Sequence, residues 1–180
     1  LRRRYLDLLM SPELRQLFYQ KAAFWDATRS FLKQHTFLEV ETPSLEAIPG
    51  GADARPFTTH HNALDEDLYL RISLELYQKR LIVGGFERVF EIGRVFRNEG
   101  IDQEHLQDYT QMEFYWAYAN FADLLRFVER MYKAIIRAAF GTLKIESQGM
   151  KVDWGKKWTQ VDYGEAFKKG TGLTIGEATD

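Results

Sequence analysis

Two β-rich runs, "ERVFEIGRVFRN" and "YTQMEFYWAY", flank a polar loop of about ten residues, and this pairing restricts the fold more than any other feature of the chain. A parallel crossover needs a dozen or more residues, so strands joined this closely pair antiparallel. Side chains alternate along each strand. In the second strand Thr110, Met112, Phe114, Trp116 and Tyr118 make an apolar face, while Tyr109, Gln111, Glu113 and Tyr115 make a mixed one. In the first strand Phe90, Ile92 and Phe96 share the core side, and Glu91, Gly93, Val95 and Arg97 share the other, a series that Glu99 continues into the loop. A carboxylate in the middle of a strand calls for a partner, because burying one alone costs several kcal/mol or forces its protonation.

Two readings of Glu113 follow. In one it forms a cross-strand ion pair with Arg97 on a solvated face, an arrangement that is common and contributes little. In the other the mixed face is the floor of a pocket. Tyr109 and Tyr115 lie on that face, and Gly93 leaves room for something to approach the sheet. Carboxylates, an arginine and aromatic rings together suit a ligand that carries a cationic group and a phosphate. Arg grips carboxylate or phosphate with two parallel hydrogen bonds, Tyr stacks on a base, and Glu pairs with an ammonium. The residues alone leave the ligand open.

The rest of the chain supplies helices around these strands. "SPELRQLFYQKAAFWDATRSFLKQ" starts with Ser11 as cap and Pro12 at the first helical position, and Leu14, Leu17, Phe18, Trp25, Thr28 and Leu32 recur at helical spacing. "FLEVETP" is a short strand ended by Pro43, "IPGGADA" a loop, "RPFTTH" and "LYLRI" strands, and "SLELYQKRLIV" a helix closed by Gly84 and Gly85. "NFADLLRFVERMYKAIIRAAFG" has Asn120 as cap and Gly141 as stop, with Leu124, Leu125, Val128, Tyr132, Ile135 and Ile136 on one face. A hairpin ("TLKIESQGMKVDW") and a helix begun by the Asp162…Glu165 capping box complete the chain. The predicted class is α+β, an antiparallel sheet flanked by helices in one domain.

Several function classes drop out. With 24 Lys plus Arg against 26 Asp plus Glu, the net charge of −2 carries no bulk attraction to nucleic acid. The chain has no cysteine, which removes disulfides, thiolate nucleophiles and zinc–thiolate sites and suits a reducing cytoplasm. No apolar run is long enough for a membrane span. His60 and His61 are adjacent, so on a strand they face opposite ways and cannot chelate one metal together. There is no P-loop, GxGxxG or HExxH. The chain begins at Leu1, not Met, and ends in "GEATD", as a piece of something longer would.

The stretch "FLEVETPSLEAIPGGADARPFTTHHNALDEDLYLRISLELYQKRLIVGGFERVFEIGRVFRNEG" resembles the catalytic domain of class II lysyl-tRNA synthetases, and the likeness runs along nearly the whole chain from "RRRYLDLL". "FLEVETP" resembles motif 1, about residues 21–45, and "RVFRNEG…EFY" resembles motif 2, about 88–118. Motif 2 is shared by other class II subgroups. "IPGGADARPFTTHHNALD" with "LELYQKRLIVGG" is more specific, since the related aspartyl and asparaginyl enzymes differ there. The resemblance implies a partial class II catalytic core over 1–180, which activates lysine with ATP and charges tRNA(Lys) in the cytoplasm, as a homodimer formed through motif 1.

The same resemblance implies roles. Arg97 would hold the amino-acid carboxylate and the ATP α-phosphate and act in catalysis. Glu99, His105 and Tyr109 would complete the ATP site, on the adenine or ribose side, the outer phosphates and the adenine face. Glu75 and the backbone around Gly51 would hold the substrate α-amino group, and Glu113 with Tyr115 the ε-ammonium. Mg²⁺ would be needed, with its ligands beyond residue 180 and none within the chain. Motif 3 and the anticodon-binding domain have no counterpart in these residues, so the resemblance implies that the 180 residues alone are inactive. The chain departs from the pattern at Leu106–Gln107, where Asn–Pro is usual, at Tyr109, where Phe is usual, and at Thr36, where Gly is usual. Two alternatives stand beside this reading: a synthetase paralogue that ligates a lysine-like amino acid to a protein, and a non-catalytic lysine-binding or dimerisation module.

Overall fold

The computed structural model describes residues 3–100, 102 and 105–178. Ile101, Gln103 and Glu104, within the range of the second motif, lie outside the described residues. The chain runs α1 (Arg4–Met10), α2 (Pro12–Gln34), β1 (Leu38–Glu39), β2 (Leu45–Glu46), β3 (Thr58–His61), β4 (Glu66–Leu70), α3 (Glu75–Val83), β5 (Arg88–Phe96), β6 (Asp108–Trp116), α4 (Phe121–Phe140), β7 (Lys144–Ser147), β8 (Met150–Asp153) and α5 (Tyr163–Thr171). This is the expected α+β arrangement. The strands divide into three small sheets, β1-β5-β6, β2-β4-β3 and β7-β8. β5 and β6 pair antiparallel from Arg88↔Trp116 to Phe96↔Asp108, and β1 joins the other edge of β5 in parallel.

Alternation then sorts the β5–β6 side chains as the sequence predicts. Phe90, Ile92, Met112, Phe114 and Trp116 meet the helices, and their core is completed by Phe31 and Leu32 of α2, Phe37, and Phe127, Met131 and Ile135 of α4. Phe127 packs against the rings of Phe31, Phe37, Phe114 and Trp116 with centroids 5.3–5.5 Å apart. α4 is held at both ends by local chemistry. Asn120 and Asp123 form a reciprocal capping box, and Gly141 takes the left-handed conformation at φ 72° that ends a helix at little cost. α2 is tied to β1 by Glu39, which takes Arg29 Nε and Lys33 Nζ at 2.7 Å each.

Some expected core positions lie elsewhere. Tyr118 falls past the end of β6, where a φ of 62° breaks the alternation, and it is exposed. The buried stripe of α4 centres on Phe127 and Met131, leaving Leu124, Leu125 and Tyr132 at the surface. The first half of α2 exposes Leu17 and Phe18, and Ser11 precedes the helix without a side-chain capping bond. Thr36 occupies a left-handed turn at φ 66°, braced by Arg88, whose Nη1 donates to Thr36 Oγ1 at 2.9 Å and to His35 O at 2.8 Å.

Candidate active site

The face of β5–β6 turned away from α2 and α4 is crossed by a buried connector, Arg71–Leu74, between β4 and α3. Its backbone is locked at the start, where Arg71 N–H donates to Ser44 O at 3.0 Å and Phe96 N–H donates to Arg71 O at 2.9 Å. Arg71 is 5% exposed, and its Nε and Nη1 are both engaged. Its Nε donates to Arg94 O at 2.8 Å, and its Nη1 donates to Thr42 O at 2.9 Å and Glu91 Oε1 at 2.7 Å. Thr42 Oγ1 donates to the other oxygen of Glu91 at 2.6 Å. A Cβ on Gly93 would run into the Arg71 guanidinium. The space that Gly93 leaves is therefore filled by Arg71, and does not admit a ligand.

Glu113 stands directly opposite Glu91 in the ladder. Its Oε1 accepts from Ser73 Oγ at 3.0 Å, Leu74 N–H at 3.2 Å and Gln111 Nε2 at 3.0 Å, and its Oε2 accepts from Tyr115 OH at 3.1 Å. All four donors are neutral. Tyr115 is kept protonated, its hydroxyl pKa pushed well above the ordinary tyrosine value first by burial, then by the charge of Glu113 and the bond to it, and last by the charge of Glu75.

The cross-strand pair of Arg97 with Glu113 does not form. Arg97 N–H donates to Gln107 O at 2.7 Å, which puts Arg97 six positions along the ladder from Glu91 and Glu113, roughly 20 Å by strand rise. The side chains nevertheless lean towards the same connector. Arg97 Nε donates to Ile72 O at 3.3 Å, two residues from the Leu74 N–H that binds Glu113. The guanidinium and the carboxylate thus come within roughly 12 Å of one another. The Arg97 guanidinium also sits 5.6 Å from the centre of the Tyr109 ring.

Of the remaining predicted residues, Gly51 and Glu75 meet the connector beside Glu113, Glu99 follows Arg97 into a neighbouring cleft, and His105 is turned to its own loop. Gly51, at φ 83°, lies against the start of α3, so that a Cβ there would come 2.8 Å from Glu75 Cβ and 2.9 Å from Ser73 Oγ. Glu75 pairs with Lys79 one turn on. Glu99 lies on a cleft of about 580 Å³ with Asp53, Ala54, Arg55, Asn98 and Gly100. The loops on its two sides are joined by Asn98 N–H, which donates to Arg55 O at 2.7 Å. His105 is exposed and turned to Asp102, its Nδ1 2.6 Å from Oδ2 and its N–H donating to Oδ1 at 2.7 Å. Leu106 beside it is exposed.

Sequence reasoning identified Glu113, Tyr115, Arg97 and Tyr109 as one face, but missed Arg71, Thr42 and Ser73. A signal for Arg71 was present, an arginine within the apolar run "LYLRI". For Ser73 and Thr42 there was none.

The family described as tRNA synthetases class II (D, K and N) matches residues 1–175. The chain is 51% identical over 179 residues to a lysine–tRNA ligase of Roseiflexus castenholzii, covering 99% of this chain and 37% of that protein. It is 50% identical over 175 residues to a lysine–tRNA ligase of Pelotomaculum thermopropionicum, covering 97% and 35%. It is 51% identical over 168 residues to one of Idiomarina loihiensis, covering 93% and 33%. The chain thus spans about a third of the length of these curated relatives.

Proposed function

The chain belongs to the class II tRNA synthetases of the D, K and N group, and on that footing we propose that it is the amino-acid-activating part of a cytoplasmic lysine–tRNA ligase, one partial catalytic domain over 1–180. The relatives named as lysine–tRNA ligases support the choice of lysine within the group. The observation that carries the reading is Glu113, whose four bonds all come from neutral donors. Glu91 opposite has its guanidinium; Glu113 has no ion-pair partner among the described residues. At the Glu91–Glu113 rung two carboxylates and one guanidinium, that of Arg71, leave one formal negative charge, which a lysine ε-ammonium would balance.

The remaining roles follow the lysine outward. Glu113 and Tyr115 hold the ε-ammonium, and Glu75 with the Gly51 backbone holds the α-amino group. Arg97 holds the carboxylate as it attacks the α-phosphorus of ATP. One carboxylate oxygen forms the new bond to phosphorus, the bond to the bridging oxygen breaks, and pyrophosphate leaves with the electron pair. Arg97 gains most where charge collects on the phosphoryl oxygens, so its contribution is alignment and electrostatic stabilisation. Tyr109 stacks on adenine, Glu99 binds on the adenine or ribose side, and His105 meets the outer phosphates once it leaves Asp102. A hydroxyl at the tRNA(Lys) 3′ end then attacks the lysyl carbonyl of the adenylate, forming the ester as the anhydride bond breaks and AMP leaves. Mg²⁺ would enter with ATP; among the described residues no three carboxylates or imidazoles gather to hold it. A homodimer through motif 1 is the arrangement the resemblance implies; the apolar side chains exposed on α1 and the first half of α2, Tyr5, Leu9, Met10, Leu17 and Phe18, lie just ahead of that motif and would extend its surface. Among the described residues no helix is long and apolar enough to cross a membrane.

Glu113→Gln tests the reading in the complete protein. A charge-assisted contact contributes ~1.5–3 kcal/mol, so lysine-dependent pyrophosphate exchange should need roughly ten- to a hundredfold more lysine, while the KM for ATP stays put. Equal losses for both substrates would reduce Glu113 to a structural role.

A further inference from the structure

Ser73 sits at the join between the two carboxylates of the site. The residue is 5% exposed, and its hydroxyl works in both directions. Oγ donates to Glu113 Oε1 at 3.0 Å and accepts the backbone N–H of Glu75 at 3.1 Å. A hydroxyl has one proton and two lone pairs, so both bonds are available to it at once. The same oxygen packs against Gly51, where an added Cβ would come to 2.9 Å. Gly51, Glu75 and Glu113 therefore meet at one small side chain.

The two oxygens of Glu113 are not equivalent in this arrangement. Oε1 accepts three donors and Oε2 accepts one, the Tyr115 hydroxyl. The crowded oxygen fixes the carboxylate to the connector and the start of α3. The other keeps acceptor capacity for a ligand. Ser73 adds a bond to the crowded oxygen and ties it to the backbone that carries Glu75.

We propose that Ser73 is a positioning residue that fixes the separation of Glu75 and Glu113, and through it the length of the diamino acid that the site accepts. This rests on the reading that those two carboxylates take the two amino groups of lysine. A methylene more or less is worth roughly 10–200-fold in a fitted site, and that discrimination requires the two ends of the site to be fixed relative to each other. Without the hydroxyl, Glu113 keeps Leu74 N–H, Gln111 and Tyr115 but loses the bridge through Ser73 Oγ to the Glu75 N–H.

The experiment compares lysine with ornithine, one methylene shorter, in pyrophosphate exchange by the complete protein. Ser73→Ala should raise the KM for lysine about tenfold, the low end of what a fitted site gains from one methylene. Ornithine should change by less than about twofold, so that the preference for lysine falls by about fivefold or more. The KM for ATP should not move, a split that general loosening of the fold would not produce. Ser73→Cys, similar in volume and a weaker donor, should fall between, and it carries the test if the alanine variant folds poorly. An unchanged lysine-to-ornithine preference in both variants overturns the proposal. Glu113→Gln run in parallel separates the two layers. If it loses lysine while the Ser73 variants do not change the preference, the site reading stands and the length-setting role falls; if it too leaves lysine unaffected, both fall.

Discussion

Glu91 and Glu113 face each other across the β5–β6 ladder, on the same side of the same sheet, yet their surroundings are opposite in kind. Glu91 is 3% exposed and spends its charge on Arg71 and one hydroxyl, Thr42. Glu113 is half-buried and, among the described residues, gathers only neutral donors, two from side chains of its own strand and two from the connector. Carboxylates directly opposite on adjacent strands repel. A single guanidinium placed on one of them resolves half of that problem and leaves the other half for a ligand. A buried carboxylate with its own cation is part of the scaffold, and one held in place by neutral donors is available to something from outside.

Removing the guanidinium is the most severe way to break this contrast. Arg71→Ala leaves Glu91 buried without its cation and also frees the carbonyls of Thr42 and Arg94. Breaking a buried pair from one side typically costs about 3–5 kcal/mol, and urea denaturation should show a loss of that size. Replacing both partners, Arg71→Met with Glu91→Met, should recover most of it, because the desolvation cost of both charges is then removed. A loss below about 1 kcal/mol for the single variant would mean that Glu91 is no more anchored than Glu113.

A milder disturbance comes through Gly93. An added Cβ would meet the Arg71 guanidinium and stand 3.0 Å from Glu91 Oε1. Gly93→Ala should therefore destabilise by about 1–3 kcal/mol, the usual cost of overpacking. Combined with Arg71→Ala, which vacates the space, the same change should cost far less than it does alone. Additive losses would show that Gly93 serves something other than Arg71.

The sequence carried the local half of this arrangement. The loop between β5 and β6 was too short for a crossover, so antiparallel pairing followed, and alternation then put Glu113, Tyr115, Gln111 and Tyr109 on one face. Asn120 with Gly141, and Asp162 with Glu165, marked helix ends through chemistry within three or four residues. Contacts between distant segments were out of reach. The occupant of the Gly93 gap comes from Arg71, 22 positions earlier and in another sheet's connection. Arg97 and Glu113 share a face, as alternation required, but pairing depends on register, and the register sets them six steps apart. Tyr118 left the core face because one left-handed residue ends the period that located it. In α2, helical spacing could not distinguish a stripe buried within the chain from one left exposed, as Leu17 and Phe18 are.

The smallest effect expected concerns a third carboxylate near the same guanidinium. Glu46 on β2 is 5% exposed, and its Oε2 has no hydrogen-bond partner among the described residues. Burial raises its pKa above the ordinary carboxylate value, while the charges of Arg71 and Arg80 pull it down without prevailing. Arg71 makes its ion pair with Glu91, and for Glu46 its attraction is outweighed by burial. A raised folded-state pKa has a definite sign in stability. Below the unfolded-state value Glu46 is protonated in both states and exacts no penalty. As pH rises through the folded-state value, ionisation favours the unfolded chain, and the stability lost there stays lost at neutral pH. Glu46→Gln removes that titration. Its stability relative to the native chain should therefore be higher at pH 7 than below the ordinary carboxylate range, with the change falling just above that range. Urea denaturation of both proteins across this interval measures the difference. Any fixed offset from packing the amide cancels when the two ends are compared, so a pH-independent difference would mean that Glu46 is adequately solvated or paired, and that Arg71 has charge to spare for it.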